Sequence, residues 1–164
     1  MRQVLLILIV FSFFSCNNSS ESNKVLLNRI EALENKLADA YKPGFGDFMG
    51  TLQNHHAKLW FAGENENWKL ADFEIHEIEE TMEDLMKYQA DREESKMIEI
   101  LNPAIESIED AIEKKDLELF KRSYILLTNA CNKCHQATGY EFNRVKVPEI
   151  SNFSNQDFST LEYK

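Results

Sequence analysis

The run DLELFKRSYILLTNACNKCH, Asp116 to His135, decides the architecture. Leu117, Phe120, Tyr124, Leu127, Cys131 and His135 return every three or four positions, which places them on one face of an α-helix. Lys114-Lys115-Asp116 makes a short turn before it. Asp116 is a good N-cap, because its carboxylate can accept from a free amide of the first turn. Gly139 is a natural C-terminal cap, since glycine enters the left-handed region without a Cβ penalty.

Working upstream, the same periodicity recurs three times. Leu101, Ile105 and Ile108 form a stripe between Met97 and Ile112, where Pro103 must either kink a helix or start one with Asn102 as its cap. Trp68, Ala71, Ile75, Ile78, Met82 and Leu85 form another, with Glu74, Glu77, Glu79, Glu80, Glu83 and Asp84 spread over the remaining surface. Met49, Leu52, His56 and Leu59 form the first, ended by the polar turn Gly63 to Asn67. Short connections force neighbouring helices to run antiparallel, so residues 43–150 read as an antiparallel four-helix bundle in an all-α chain. Five glycines and three prolines in 164 residues agree with long helices and few turns.

Residues 16–42 form a polar linker and an additional N-terminal amphipathic helix. There Leu26, Ile30, Leu33, Leu37 and Ala40 alternate steps of four and three up to Pro43-Gly44. That spacing suits a short stalk pairing with a second copy of the chain, or a helix that docks on the bundle. Residues 151–164, with Phe153 and Phe158 as isolated aromatics, read as a loose tail.

Residues 1–15 pair Arg2 with an apolar run from Val4 to Phe14, too short to span a bilayer but proportioned as a signal peptide. Ser15, Cys16 and the polar run after them resemble a bacterial lipoprotein signal, which implies lipidation of Cys16 and a membrane anchor. Phe13 departs from the aliphatic residue usual there. The net charge of −10 becomes one unit more negative once Arg2 leaves with the leader. Nucleic acid is excluded as a partner by that charge, and a basic-surfaced redox protein is favoured.

Cys131-Asn132-Lys133-Cys134-His135 is a Cys-x-x-Cys-His string, the attachment signature of a c-type haem. Two thiols one helical turn apart can reach the two vinyl groups of one porphyrin, while the adjoining imidazole faces the iron. A thioredoxin-like pair would open a helix after a strand, whereas this string closes a helix in a chain without strand pattern. A zinc site needs four ligands, and no second Cys-x-x-Cys or His-x-x-x-His occurs. One lipid and two thioethers account for all three cysteines. Attachment also requires export, hence a periplasmic location at the cell envelope.

Over residues 47–140, four helices with Cys-x-x-Cys-His at the end of the last resemble the c-prime-type cytochromes. Residues 55–63, His-His-Ala-Lys-Leu-Trp-Phe-Ala-Gly, with Asn67 to Ala71, also resemble exported bacterial haem proteins of the cytochrome c-like kind. The resemblance implies one covalent haem c, with Cys131 and Cys134 as thioether residues and His135 as proximal iron ligand. The extra N-terminal helix and the histidine-rich first bundle helix depart from it.

The sixth iron ligand decides between two functions. A six-coordinate iron suits electron transfer, and a vacant position suits a sensor or scavenger of nitric oxide or carbon monoxide. Met49 and His56 are the distal candidates, Met49 by its level on the helix and His56 by ligand strength. His55 could instead face a propionate or solvent. No distal Arg-His pair suggests peroxidase catalysis, and the chain reads as a carrier or ligand-binding protein, not an enzyme. His76 with Glu79 and Glu80 could hold a metal in principle, but a solvated acidic face accounts for them.

Overall fold

The computed structural model describes residues 18–40 and 43–160. The expected leader at 1–15, the expected lipidation site Cys16 and residues 161–164 of the tail lie outside the described residues. Among the described residues every regular element is helical, and no helix is long and apolar enough to cross a membrane. The chain divides at Lys42 into two units.

Among the described residues the first unit contains one helix, α1, Asn18–Ala40. Its stripe of Leu26, Ile30, Leu33 and Leu37 is exposed.

The second unit holds α2 (Phe45–Glu64), α3 (Trp68–Tyr88), the single turn α4 (Glu93–Lys96), a 3-10 turn at Ile98–Leu101, α5 (Asn102–Lys114) and α6 (Leu117–Ala137). Their boundaries follow from local chemistry. The Asn67 side chain accepts from Leu70 N at the start of α3, and the Asp116 side chain accepts from Leu119 N at the start of α6. Pro103 opens α5 within its first turn, where a missing N–H costs nothing, and so it starts that helix instead of kinking a longer one. Asn102 is the first residue of α5 and makes no side-chain cap.

Helix α2 packs on α3 and α6, and α5 packs on α3 and α6. Buried Leu59, Ile75, Leu85, Ile108 and Leu127 come from the predicted stripes and fill the core between them. The contacts of α2 with α6 descend one helix as they climb the other: Gly63 meets Phe120, Trp60 meets Phe120 and Tyr124, and His56 meets Tyr124 and Thr128. These two helices therefore run antiparallel.

The tail is irregular, as its aperiodic sequence suggests, but residues 151–160 are not loose. Phe158 is buried, with Phe61 5.5 Å and Phe153 6.2 Å away between ring centroids. The Asn67 amide donates to the carbonyls of Phe158 and Ser159. Two aromatics placed five residues apart can anchor a strap without any secondary structure, because burial needs surface to pack on and not periodicity.

Gly63 is required by proximity to a neighbour. A Cβ there would run into the Phe120 ring, which is fully buried between Trp60 and Trp68 and has nowhere to retreat. Gly63→Ala is expected to cost about 1–3 kcal/mol of stability in urea unfolding, despite the higher helix propensity of alanine. An unchanged or raised midpoint would show that Phe120 can yield.

Candidate functional site

The end of α6 is built around its glycine. The helix stops at Ala137, Gly139 takes φ +82°, and Tyr140 N closes the turn on the carbonyl of His135 at 2.7 Å. The chain therefore reverses and runs back past the last turn of the helix. Asn132 fixes this return in both directions: its amide donates to Val145 O at 2.8 Å, and its carbonyl oxygen accepts from Val145 N at 2.9 Å.

The same reversal brings the carbonyl of Asn143 to His135 Nδ1, which donates to it at 2.6 Å. A ring nitrogen bonded to a backbone carbonyl carries the proton, so the tautomer is set and Nε2 is left as a lone-pair donor. Cys131 and Cys134 lie one turn apart on the same helix, both as free thiols, Cys131 half-buried and Cys134 buried. Burial, and then the neighbouring Cys134, push the Cys131 thiol up to about 12. Burial and the Glu94 carboxylate likewise raise Cys134. Thiols held in the protonated form are poor attacking groups for disulfide exchange, which needs the thiolate. Cys131 and Cys134, one helical turn apart, and His135, with Nδ1 already engaged, are the residues that could hold a covalently attached haem.

Of the expected distal groups, His56 is committed elsewhere. It is buried, its Nε2 lies 3.0 Å from Thr128 Oγ1, and its Nδ1 lies 2.9 Å from the Tyr124 hydroxyl. Tyr124 also donates to the His56 carbonyl at 2.7 Å, and Thr128 donates to the Tyr124 carbonyl at 3.0 Å. Burial lowers the His56 pKa to about 4, so the ring is neutral. Nε2–H then donates to Thr128, and the tyrosine hydroxyl serves Nδ1 or the carbonyl. Met49, by contrast, is half-buried against the core.

His55 has a partner that the sequence did not reveal. Its Nδ1 lies 2.7 Å from Glu74 Oε2, and Glu74 is almost wholly buried on α3. The only hint was Glu74 and Ile75 standing together at the edge of an apolar stripe. His76 groups with Glu79 and with Glu109 of α5, not with Glu80, their ligand atoms within 4.8 Å of one another on the surface.

No protein-family model matches the chain, nor does any curated protein or solved structure.

The neutral buried His56 makes stability depend on pH in a definite direction. Its folded pKa near 4 lies below the unfolded value of 6.5, so the unfolded chain binds the extra proton between them. The contribution is complete above pH 6.5 and is lost as pH falls toward 4, amounting to about 3 kcal/mol. In urea titrations from pH 7 to pH 4, His56→Gln is expected to lose less stability on acidification than the unmodified protein. Parallel loss in both would remove His56 as the source.

Proposed function

We propose that this chain is an exported monohaem c-type cytochrome that carries electrons in the bacterial cell envelope. It works on the periplasmic side, held to the membrane by a lipid on Cys16. The observation that carries this reading is the hydrogen bond from His135 Nδ1 to Asn143 O beside two protonated thiols. That bond fixes the ring through Nδ1 and leaves Nε2 as the nitrogen available to a ligand, as a proximal imidazole requires.

Cys131 and Cys134 form the thioethers, and His135 binds the iron on the proximal side. Bound there, the haem supplies a one-electron iron couple. Asn132 and the reversal at Gly139 keep the imidazole oriented, so that little rearrangement accompanies a change of iron charge.

The packing of α2 on α3 and α6 and of α5 on both supports an antiparallel four-helix bundle around this site. Register favours Met49 as distal ligand. His56 on α2 stands opposite Thr128 on α6. Seven residues along each helix, two turns or roughly 10 Å toward the same end, lead to Met49 and His135. His56 remains two turns away with both ring nitrogens in use. The acidic surface favours a basic-surfaced redox partner. The exposed stripe of α1 supports pairing with a second copy of the chain.

The test is expression of the full chain with cytochrome c maturation machinery. Covalent haem and a low-spin spectrum indifferent to carbon monoxide are expected. Replacing both cysteines with alanine should abolish covalent attachment, and a preparation of the unmodified protein without covalent haem would overturn the assignment. Met49→Ala should become high-spin and bind carbon monoxide, while His56→Gln should keep the low-spin spectrum. Ready carbon monoxide binding by the unmodified protein would replace electron transfer with gas binding at a five-coordinate haem.

A further inference from the structure

A second feature has no part in that reading. A polar pocket of about 560 Å³ opens between α2 and the C-terminal strap. Helix α2 contributes Thr51, Asn54, His55 and Lys58, and the strap contributes Phe153, Asn155 and Gln156. These segments are about a hundred residues apart in sequence, and the buried Phe158 with the Asn67 bonds holds the strap in place.

We propose that this pocket binds a small oxyanion, a carboxylate or a phosphate. The argument is the character of its lining. Lys58 Nζ sits 5.5 Å from the centroid of the Phe153 ring and, among the described residues, makes no ion pair with a carboxylate. The side-chain amides of Asn54, Asn155 and Gln156 likewise have no hydrogen-bond partner among the described residues. One ammonium and three side-chain amides thus line a single space, Lys58 and Gln156 half-buried and Asn54 and Asn155 exposed, with no protein acceptor among the described residues. An oxyanion carries acceptors only, and charge-assisted bonds to its oxygens are the strong ones.

The floor is compatible with a negative ligand. Glu74 is almost wholly buried, is engaged by His55 Nδ1 at 2.7 Å and is not among the lining residues. Glu77 Oε2, 3.8 Å from His55 Nε2, is the other acid beside that ring. The strap supplies two of the amides in an anchored segment, so little ordering accompanies binding. The site rests on α2 and the strap alone and is independent of haem attachment.

The full chain is titrated calorimetrically with sodium phosphate and, separately, with sodium acetate, against sodium chloride at matched ionic strength. Saturable binding in at least one arm is expected, weakened at least about tenfold in Lys58→Gln and in Asn155→Ala. Phosphate alone giving heat identifies a phosphate site, and acetate giving heat identifies a carboxylate site. Thermal unfolding of both variants checks that the strap remains docked. The proposal is overturned if neither anion binds above the chloride control, or if both well-folded variants bind as the unmodified chain does.

Discussion

The close approach of Phe120 to Gly63 is the contact on which the rest of the second unit depends. A ring can enter that space only because the facing residue has no side chain, and once there it meets Trp60 and Trp68 as well. Helices α2, α3 and α6 are thereby held at one end of the unit through aromatic surface, the largest apolar contribution per side chain. The register set at that end propagates. Trp60, then His56, then Met49 are met in turn as α2 is followed toward its N-terminus, while α6 passes Tyr124 and Thr128 on its way to His135.

The buried polar groups sit in the middle of this register and make it specific. His56, Tyr124 and Thr128 form a closed set in which every side-chain polar atom has a partner. Slipping either helix by one turn would leave the imidazole and the Tyr124 hydroxyl unpaired in the core, each at a cost of about 1–3 kcal/mol, while Thr128 would keep only its bond to the Tyr124 carbonyl of its own helix. Apolar stripes alone tolerate such slips far better. Ser107 and Ser123, with oxygens 2.7 Å apart, serve the α5–α6 contact in the same way.

What was legible in the sequence follows the range of the interactions. The helices at 68–88 and 117–137, the capping by Asp116 and the glycine stop at 139 are local, governed by neighbours within a few positions. The anchoring of the tail was not legible, because Phe153 and Phe158 gain their burial from α2, far away in sequence. The partner of His55 was hidden for the same reason: Glu74 resembles six other acids on its helix until α2 is laid against it. At the Cys-x-x-Cys-His string the residue types were evident, but Asn132 and Asn143 were not. Their roles arise only when the chain reverses after Gly139.

That reversal links the fold to the chemistry. A helix ending in an ordinary frayed turn would leave His135 to rotate and choose its tautomer by solvent contact. With the closing bond of Tyr140 N to His135 O and the two-way bond between Asn132 and Val145, the return segment is fixed at both sides of Asn143. The Asn143 carbonyl thus meets Nδ1 as part of the backbone path and not as a mobile side chain. An imidazole constrained in this way has already given up its rotational freedom, so that entropy would not be lost again were it to take a ligand. The glycine that ends α6 and the glycine that admits Phe120 to α2 therefore act at opposite ends of one helix. One sets which residues face each other, and the other sets which nitrogen of His135 is free.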